Sequence, residues 1–161
     1  KKDDVELLFQ LDSDADVMKY ITLGKPRTLD ELIKVSMPKI RDYYQKNPGF
    51  GIFPAYLNNS NEYIGWFQFM KDKEFKNAIE IGWRLKKEHW GNGYATEVAI
   101  GLRQTGKKLG KIVVARAMIE NIASIKVMKK AGLKFGNFFW GDYEPYSGNP
   151  DVLYKSDPIT L

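Results

Sequence analysis

Apolar and polar residues follow a helical period over the first fifty residues. Apolar positions in residues 5–21 recur every three or four residues and predict two short helical segments, broken near Ser13, where Ser and Asp side chains can cap the second. Thr28 and Glu31 have the spacing of a capping box, and the amphipathic stretch after them predicts a helix interrupted near Pro38. The N-terminal third is therefore expected to be mainly helical.

From Phe50 the pattern changes to aromatic and β-branched runs. The segments FGIFPAYL and YIGWFQFM flank the polar cluster NNSN, which predicts a β-hairpin. AIEIGWRL, residues 78–85, predicts a third strand, and helical spacing over residues 94–109 precedes Gly110, a typical C-terminal stop.

The remaining segments complete a mixed sheet. KIVVARAMI predicts a buried strand, ASIKVMKKAG a short helix closed by Gly132, and LKFGNFFW with DVLYKS a final antiparallel pair. The strand–helix–strand unit over residues 78–117 would place two strands in parallel. The order of elements predicts an α+β fold, and a length of 161 residues favours one domain with one core.

The amino-acid composition limits the kinds of ligand and catalytic site that this chain can have. Lys and Arg total 25 against 20 Asp and Glu, and the net charge of +5 favours an anionic ligand. There is no cysteine and a single histidine, His89, which we expect to pack or meet solvent; we expect no metal site, no disulfide and no Ser-His-Asp triad. No apolar run approaches the roughly 20 residues of a membrane span, so we expect a cytoplasmic protein that does not bind membranes.

The segment HWGNGYATE leads from a predicted strand into a predicted helix. Such a loop presents backbone amides at the positive end of the helix dipole, and Gly91 and Gly93 let an anion approach the backbone closely. The alternative is that the two glycines only turn the chain. A Walker loop is excluded because Gly-Lys-Ser/Thr is absent, and a dinucleotide fingerprint is excluded because Thr96 stands where a third glycine is needed.

HWGNGYATE, followed by ENIASIKVMKKAGLKF, resembles the GNAT superfamily of acetyl-CoA-dependent N-acetyltransferases. Gly93 and Ala95 fill the Gly and Gly/Ala positions of the superfamily's Gln/Arg-x-x-Gly-x-Gly/Ala loop, and Trp90 stands where Gln or Arg is usual. This departure is similar to the branch of Rim-type enzymes that acetylate ribosomal-protein N-termini, whose loop commonly reads Trp-Gly-x-Gly-Tyr-Ala-Thr-Glu.

The resemblance covers about residues 79–135 and implies the GNAT fold, a mixed, mostly antiparallel sheet splayed around the cofactor and flanked by helices. Residues 1–161 would form a single acetyltransferase domain. The family's first strand would precede Lys1, so we expect it to be absent from this sequence. A second chain in a homodimer could supply the missing edge strand.

Acetyl-CoA is the co-substrate that the resemblance implies. Backbone groups near Leu85 and Lys87 would pair with the pantetheine amides, the loop amides would bind the pyrophosphate, and Asn121 would contact the pantetheine or adenosine-diphosphate part. Asn121 could instead only cap the following helix. The implied coenzyme-binding residues are Leu85, Lys87, Gly91, Asn92, Gly93, Tyr94, Ala95 and Asn121.

The absence of cysteine excludes an acetyl-cysteine intermediate, so we expect direct attack by the amine in a ternary complex, with a backbone N–H near Leu85 stabilising the oxyanion. Many relatives use a Tyr acid seven residues after the Asn, where this chain has Met128. The Rim-type branch implies that Ser124 contacts the departing thiolate, although it could only bond backbone. Glu80 alternates with Ile79 and Ile81; it could draw the proton from the amine or be a solvated strand residue.

The acceptor stays open among a protein N-terminus, a polyamine and another small amine. Acidic residues of the helical segment keep polyamines open: Asp12, Asp14, Asp16, Asp30 and Glu31. Aromatic residues are expected to divide between the core and the acceptor cleft: Trp66, Phe67, Phe69, Trp83, Tyr143 and Tyr146. The alternative functions are an acyl-CoA-binding relative without turnover and a nucleic-acid-binding module, which we do not expect because the lysines are spread along the chain.

Overall fold

The computed structural model describes residues 4–140 and 148–157, so Tyr143 and Tyr146 lie outside the described residues. The helices are α1 (Asp4–Asp12), α2 (Leu29–Glu31), α3 (Met37–Lys46), α4 (Tyr94–Lys108) and α5 (Ile122–Lys130). The strands are β1 (Gly51–Tyr56), β2 (Tyr63–Lys71), β3 (Ala78–Leu85), β4 (Ile112–Met118), β5 (Lys134–Phe139) and β6 (Asp151–Lys155). These strands form a six-stranded sheet in the order β1-β2-β3-β4-β6-β5.

The chain divides into two compact units. The first consists of the residues up to Gln68 and the segment Trp83–Trp90, and the second of Phe69–Gly82 and the residues from Gly91 onward. The single acetyltransferase domain over residues 1–161 stays a prediction.

In the first unit, the predicted second helical segment is wrong, because residues 13–24 form turns and bends. The carboxylate of Asp14 accepts hydrogen bonds from the amides of Asp16 and Val17, at 2.8 and 3.3 Å. These are the bonds of an N-cap residue, so the predicted capping by an Asp side chain is present, although turns and not a regular helix follow it. Leu23 then has a φ of +54°, which ends any helical path.

The predicted capping box is confirmed. The amide of Glu31 donates to Oγ1 of Thr28 at 3.2 Å, and the amide of Thr28 donates to Oε2 of Glu31 at 2.7 Å. The interruption lies at a π-helical turn, Leu32–Ser36, and Pro38 falls in the first turn of α3. Pro38 has no N–H to give the preceding turn, and the wider turn moves the carbonyl with which its ring would clash.

The predicted hairpin is confirmed by β1 and β2, which are neighbours in the sheet. Its turn is closed by the amide of Leu57, which donates to the carbonyl of Glu62 at 2.9 Å. Gly65 on β2 allows a close approach to β3, because a Cβ there would overlap the carbonyl oxygen of Arg84. This glycine therefore brings the two strands together at the end of β3.

The second unit contains the predicted parallel pair. β3 and β4 run parallel with Ala78 opposite Ile112, Ile79 opposite Val113 and Glu80 opposite Val114. On its other side β4 pairs antiparallel with β6 from Val114 to Met118, and β5 pairs antiparallel with β6. The pairing between β3 and β4 thus covers three residues, which agrees with the predicted splay, and the α+β class is confirmed.

Gly106→Ala is expected to destabilise the protein, whereas Gly101→Ala on the same helix is expected to stabilise it. A Cβ on Gly106 would overlap Val113, a fully buried β-branched residue that cannot turn away, and overpacking costs typically about 1–3 kcal/mol. A Cβ on Gly101 meets no atom within 4 Å, and Ala is favoured over Gly in a helix by about 0.5–1 kcal/mol. Urea unfolding measures both changes; a stability gain at Gly106 would contradict its close packing on β4.

Candidate active site

The glycine loop joins the 3₁₀ turn Lys87–His89 to α4. Gly91 and Gly93 have φ angles of +80° and +86°, in the left-handed region that favours glycine. A Cβ on either residue would meet no atom within 4 Å. Both glycines are therefore required by the backbone conformation and not by packing.

The start of α4 fits an anionic group. Gly93 is the N-cap residue and has no side chain to accept from the helix, and the first intrahelical bond runs from the amide of Glu97 to the carbonyl of Gly93 at 3.0 Å. Amides in the first turn have no acceptor within the helix, and the helix dipole adds positive potential there. Phosphate oxygens suit these donors, so the residues of the loop fit a diphosphate.

The end of β3 is fixed by Trp90. The indole N–H of Trp90 donates to the carbonyl of Leu85 at 2.8 Å, and the amide of Lys86 donates to the carbonyl of Ile64 at 2.9 Å. The ammonium of Lys87 donates to Asp16 at 2.5 Å, and that hydrogen bond raises the pKa of Lys87. Sequence reasoning missed this use of Trp90, because a bond to a carbonyl five positions earlier has no sequence signature.

Asn121 is the N-cap residue of α5. Its Oδ1 accepts a hydrogen bond from the amide of Ser124 at 3.1 Å, as expected if Asn121 caps the helix. Ser124 is half-buried in the first turn of α5. Met128, at the position where many relatives carry a tyrosine, is 1% exposed, so its side chain belongs to the core.

Glu80 faces away from its two neighbours on β3, as its position predicts. Ile79 and Ile81 are 1% and 2% exposed, whereas the side chain of Glu80 is 27% exposed. Oε1 of Glu80 lies 3.4 Å from Nη1 of Arg116 on β4. Burial raises the pKa of Glu80 above its ordinary value, and the charge of Arg116 lowers it by less.

Arg116 also contacts two other carboxylates. Its Nη1 lies 2.5 Å from Oδ2 of Asp72, and its Nη2 lies 3.3 Å from Oε2 of Glu74. We call Asp72, Glu74, Glu80 and Arg116 the Arg116 cluster. Sequence reasoning missed Asp72 and Arg116, although a lone charge inside the buried run KIVVARAMI could have indicated Arg116.

All five acidic residues that kept a polyamine acceptor open have structural partners. Asp12 contacts Arg27 and Arg84, and Asp16 contacts Lys87. Asp14 accepts from two amides of its own turn. Asp30 pairs with Lys34 at 2.8 Å, and Glu31 belongs to the capping box. All five carboxylates therefore already have partners within the first unit.

His89 is buried, and its Nε2 lies 3.1 Å from Oε1 of Glu62. No group of three or more His, Asp or Glu side chains is placed to hold a metal ion within residues 4–140 and 148–157. In the same part of the chain, no helix has the length and apolarity to cross a membrane.

The first unit contains an open pocket of about 150 Å³ lined by residues of α1, α3, β1 and β2. Its walls are mainly apolar, with Leu7, Met37, Ile40 and Ile52 among them, and Trp66 is one of the two β2 residues that line it. Of the aromatic residues that sequence could not sort, Phe67 and Phe69 are buried in the core.

The chain was then compared with known proteins. The family described as acetyltransferase (GNAT) domain matches residues 1–134. The chain is 32% identical over 148 residues to FsC-acetyl coenzyme A-N(2)-transacetylase of Aspergillus fumigatus, which covers 86% of this chain and 62% of that protein. The chain thus spans less than two thirds of this relative's length.

Solved structures agree with this family. The structure of a GNAT-family acetyltransferase from Bacillus anthracis has a TM-score of 0.73 and 28% identity, covering 96% of this chain and 89% of that one. RimL, a ribosomal L7/L12 alpha-N-protein acetyltransferase in complex with coenzyme A, has a TM-score of 0.78 and 17% identity, covering 98% and 90%.

The chain belongs to the GNAT family of acetyltransferases. The predicted fold is thereby confirmed, and the predicted class of N-acetyltransferase agrees with the names of the family and of the Aspergillus fumigatus relative. The likeness to RimL at 17% identity shows the fold alone, so membership of the Rim-type branch stays a prediction.

Proposed function

We propose that this protein transfers an acetyl group from acetyl-CoA directly to a primary amine in a ternary complex. The observation that carries the proposal is the loop of two left-handed glycines at a helix start whose N-cap residue is a glycine, in a chain of the GNAT family. The amides of Gly91, Asn92, Gly93, Tyr94 and Ala95 would hold the diphosphate. Backbone groups of Leu85 and Lys87 would hold the pantetheine arm, and the side-chain NH₂ of Asn121 would donate to it.

Acetyl-CoA supplies the activated thioester. The amine nitrogen forms the new bond to the acetyl carbon as the bond from that carbon to sulfur breaks. Glu80, directly or through water, would take the proton that the amine loses, and Ser124 would donate to the departing thiolate. A backbone N–H near Leu85 would donate to the carbonyl oxygen as it gains negative charge.

The acceptor we favour is a peptide N-terminus or another amine with an apolar portion. The similarity of the glycine loop to the Rim-type branch supports a protein or peptide amine. The mainly apolar pocket of the first unit suits an apolar side chain, and the five acidic residues of the helical segment that kept a polyamine open have structural partners already. A polyamine would need free carboxylates for its several ammonium groups, so these observations favour it less.

Acetyl transfer to a panel of peptide, polyamine, amino-sugar and small apolar amines tests the proposal, with release of free coenzyme A thiol as the measurement. We expect turnover with at least one peptide or apolar amine and intersecting double-reciprocal plots. Parallel plots would contradict the ternary complex. Binding of acetyl-CoA without turnover over the whole panel would favour an acyl-CoA-binding relative that has no catalytic activity. Steeply salt-dependent oligonucleotide binding without acetyl-CoA binding would favour a nucleic-acid-binding module.

The assembly state is a separate question. Sedimentation of the purified protein tests the predicted homodimer, which requires a mass twice that of the 18.5 kDa chain.

A further inference from the structure

Asp72 holds Arg116 in place, independently of Glu80. Oδ1 of Asp72 accepts hydrogen bonds from the amides of Glu74 and Phe75 at 2.9 and 2.8 Å, and Oδ2 accepts from Arg116 at 2.5 Å. The side chain of Asp72 is 0% exposed. Burial would raise the pKa of Asp72, but the bonds from Arg116 and these amides outweigh it and lower that pKa, so Asp72 stays ionised.

The guanidinium of Arg116 is shared unequally. The same Nη1 lies 2.5 Å from Asp72 and 3.4 Å from Glu80, while Nη2 faces Glu74. The ring of Phe139 on β5 covers the guanidinium, with its centre 5.7 Å from the central carbon. Arg116 is therefore fixed beside Glu80 by partners other than Glu80.

We propose that Arg116, anchored by Asp72, is a positioning residue that lets Glu80 alternate between its ionised and protonated states during acetyl transfer. The inference rests on the proposed function, in which Glu80 takes the proton of the acceptor amine. When Glu80 is ionised, Arg116 offsets part of its charge; when Glu80 takes up a proton, Asp72 and Glu74 still neutralise Arg116. Neither state leaves a buried guanidinium unpaired, which would be costly.

The charges that face Glu80 have opposite effects on its affinity for a proton. Arg116 on β4 and Lys73 before β3 favour the ionised carboxylate, while Asp72 disfavours it. Glu74 also contacts Arg116, but its carboxylate is 60% exposed and therefore screened by water. Removing Arg116 should raise the pKa of Glu80, and removing the charge of Asp72 should lower it.

The first measurement is a titration of Glu80 by carbon NMR of protein labelled at its glutamate carboxyl groups, with Glu80→Gln identifying the signal. We expect Arg116→Gln to raise the pKa of Glu80 by about 1 unit or more, and Asp72→Asn to shift it in the opposite direction. Arg116→Lys keeps the charge and should restore much of the wild-type titration. If Arg116→Gln does not fold, a lowered pKa of Glu80 in Asp72→Asn, beside a nearly wild-type titration in Arg116→Lys, is the expected result, and an unchanged or raised pKa in Asp72→Asn overturns the proposal. Asp42→Asn, an exposed carboxylate paired with Lys46, is the matched control.

The second measurement is the pH profile of kcat/KM for acetyl transfer. Its acid limb should move with the titration of Glu80 in each variant, and Glu80→Gln should remove that limb. The proposal is overturned if the pKa of Glu80 shifts equally or not at all in Arg116→Gln and Asp72→Asn. It is also overturned if the acid limb of the kcat/KM profile does not move with the pKa of Glu80. A wild-type protein that acetylates no amine would instead overturn the proposed function. The NMR titration does not depend on activity, so opposite shifts in the pKa of Glu80 in the two variants would still show that Arg116 and Asp72 control its protonation.

Discussion

Gly93→Asp is expected to abolish the stabilisation that acetyl-CoA gives the wild-type protein. A ligand at 100 times its Kd stabilises the folded state by about 2.7 kcal/mol. For a domain of this size that corresponds to a rise in Tm of roughly 5 to 10 °C. An aspartate carboxylate at the start of α4 would repel the diphosphate. The backbone at position 93 has a left-handed φ of +86°, which adds strain of about 1–3 kcal/mol when the residue is not glycine. Thermal unfolding with and without acetyl-CoA measures the effect.

Two matched variants separate charge from strain. Gly93→Asn imposes a similar backbone cost without the charge, so it should keep part of the ligand-induced rise in Tm. Gly110→Asp introduces the same side chain at another left-handed glycine, with a φ of +69°, beyond the opposite end of α4, and should keep the full rise. An unchanged rise in Gly93→Asp would show that the loop does not hold the diphosphate.

Asp12→Asn should cost the protein about 3–5 kcal/mol of stability, the range expected when one partner of a buried ion pair is removed. Asp12 is 2% exposed, and its carboxylate contacts Arg84, whose side chain is 10% exposed. Its other oxygen lies 3.2 Å from Nη1 of Arg27. The substitution leaves the guanidinium of Arg84 buried without a counter-ion. Urea unfolding followed by two optical probes measures the loss and tests whether the transition is two-state.

Asp16→Asn is the matched control for Asp12→Asn. Asp16 lies four residues after Asp12, the last residue of α1, and likewise pairs with a basic residue of the segment Trp83–Trp90, but its carboxylate and the ammonium of Lys87 are 57% and 58% exposed. We expect little change in stability. Equal losses in the two variants would show that burial of the Asp12 pair does not stabilise the first unit.

The elements with strong local patterns were predictable. Alternating residues of β3, helical spacing in α4 and the apolar run of β4 defined the parallel unit, and the Thr28–Glu31 spacing defined a capping box. The turns at residues 13–24 were not predictable from spacing. Their apolar residues, such as Val17 and Met18, are buried as they would be in a helix, and the left-handed φ of Leu23, which ends the segment, has no signature in the spacing.

The candidate site was predictable only where it is contiguous in sequence. The glycine loop carries its requirement for left-handed backbone in adjacent residues. The partners of Glu80 were not predictable, because they are distant in sequence. Arg116 lies 36 positions after Glu80, and Asp72 lies 44 positions before Arg116. Ion pairs between distant residues leave no periodic pattern, so only the fold brings them together.

The place of β6 has a consequence for the order in which the chain folds during synthesis. β5 leaves the ribosome first, yet its partner strand is β6, the strand that also pairs with β4. Until residues 151–155 emerge, β5 has no strand to join, and Phe135 and Phe138, which are 48% and 56% exposed even in the folded chain, stay open to other chains. β6, which is made after β5, is thus the strand that joins β5 to the rest of the sheet, and a nascent chain paused before it would be prone to aggregate.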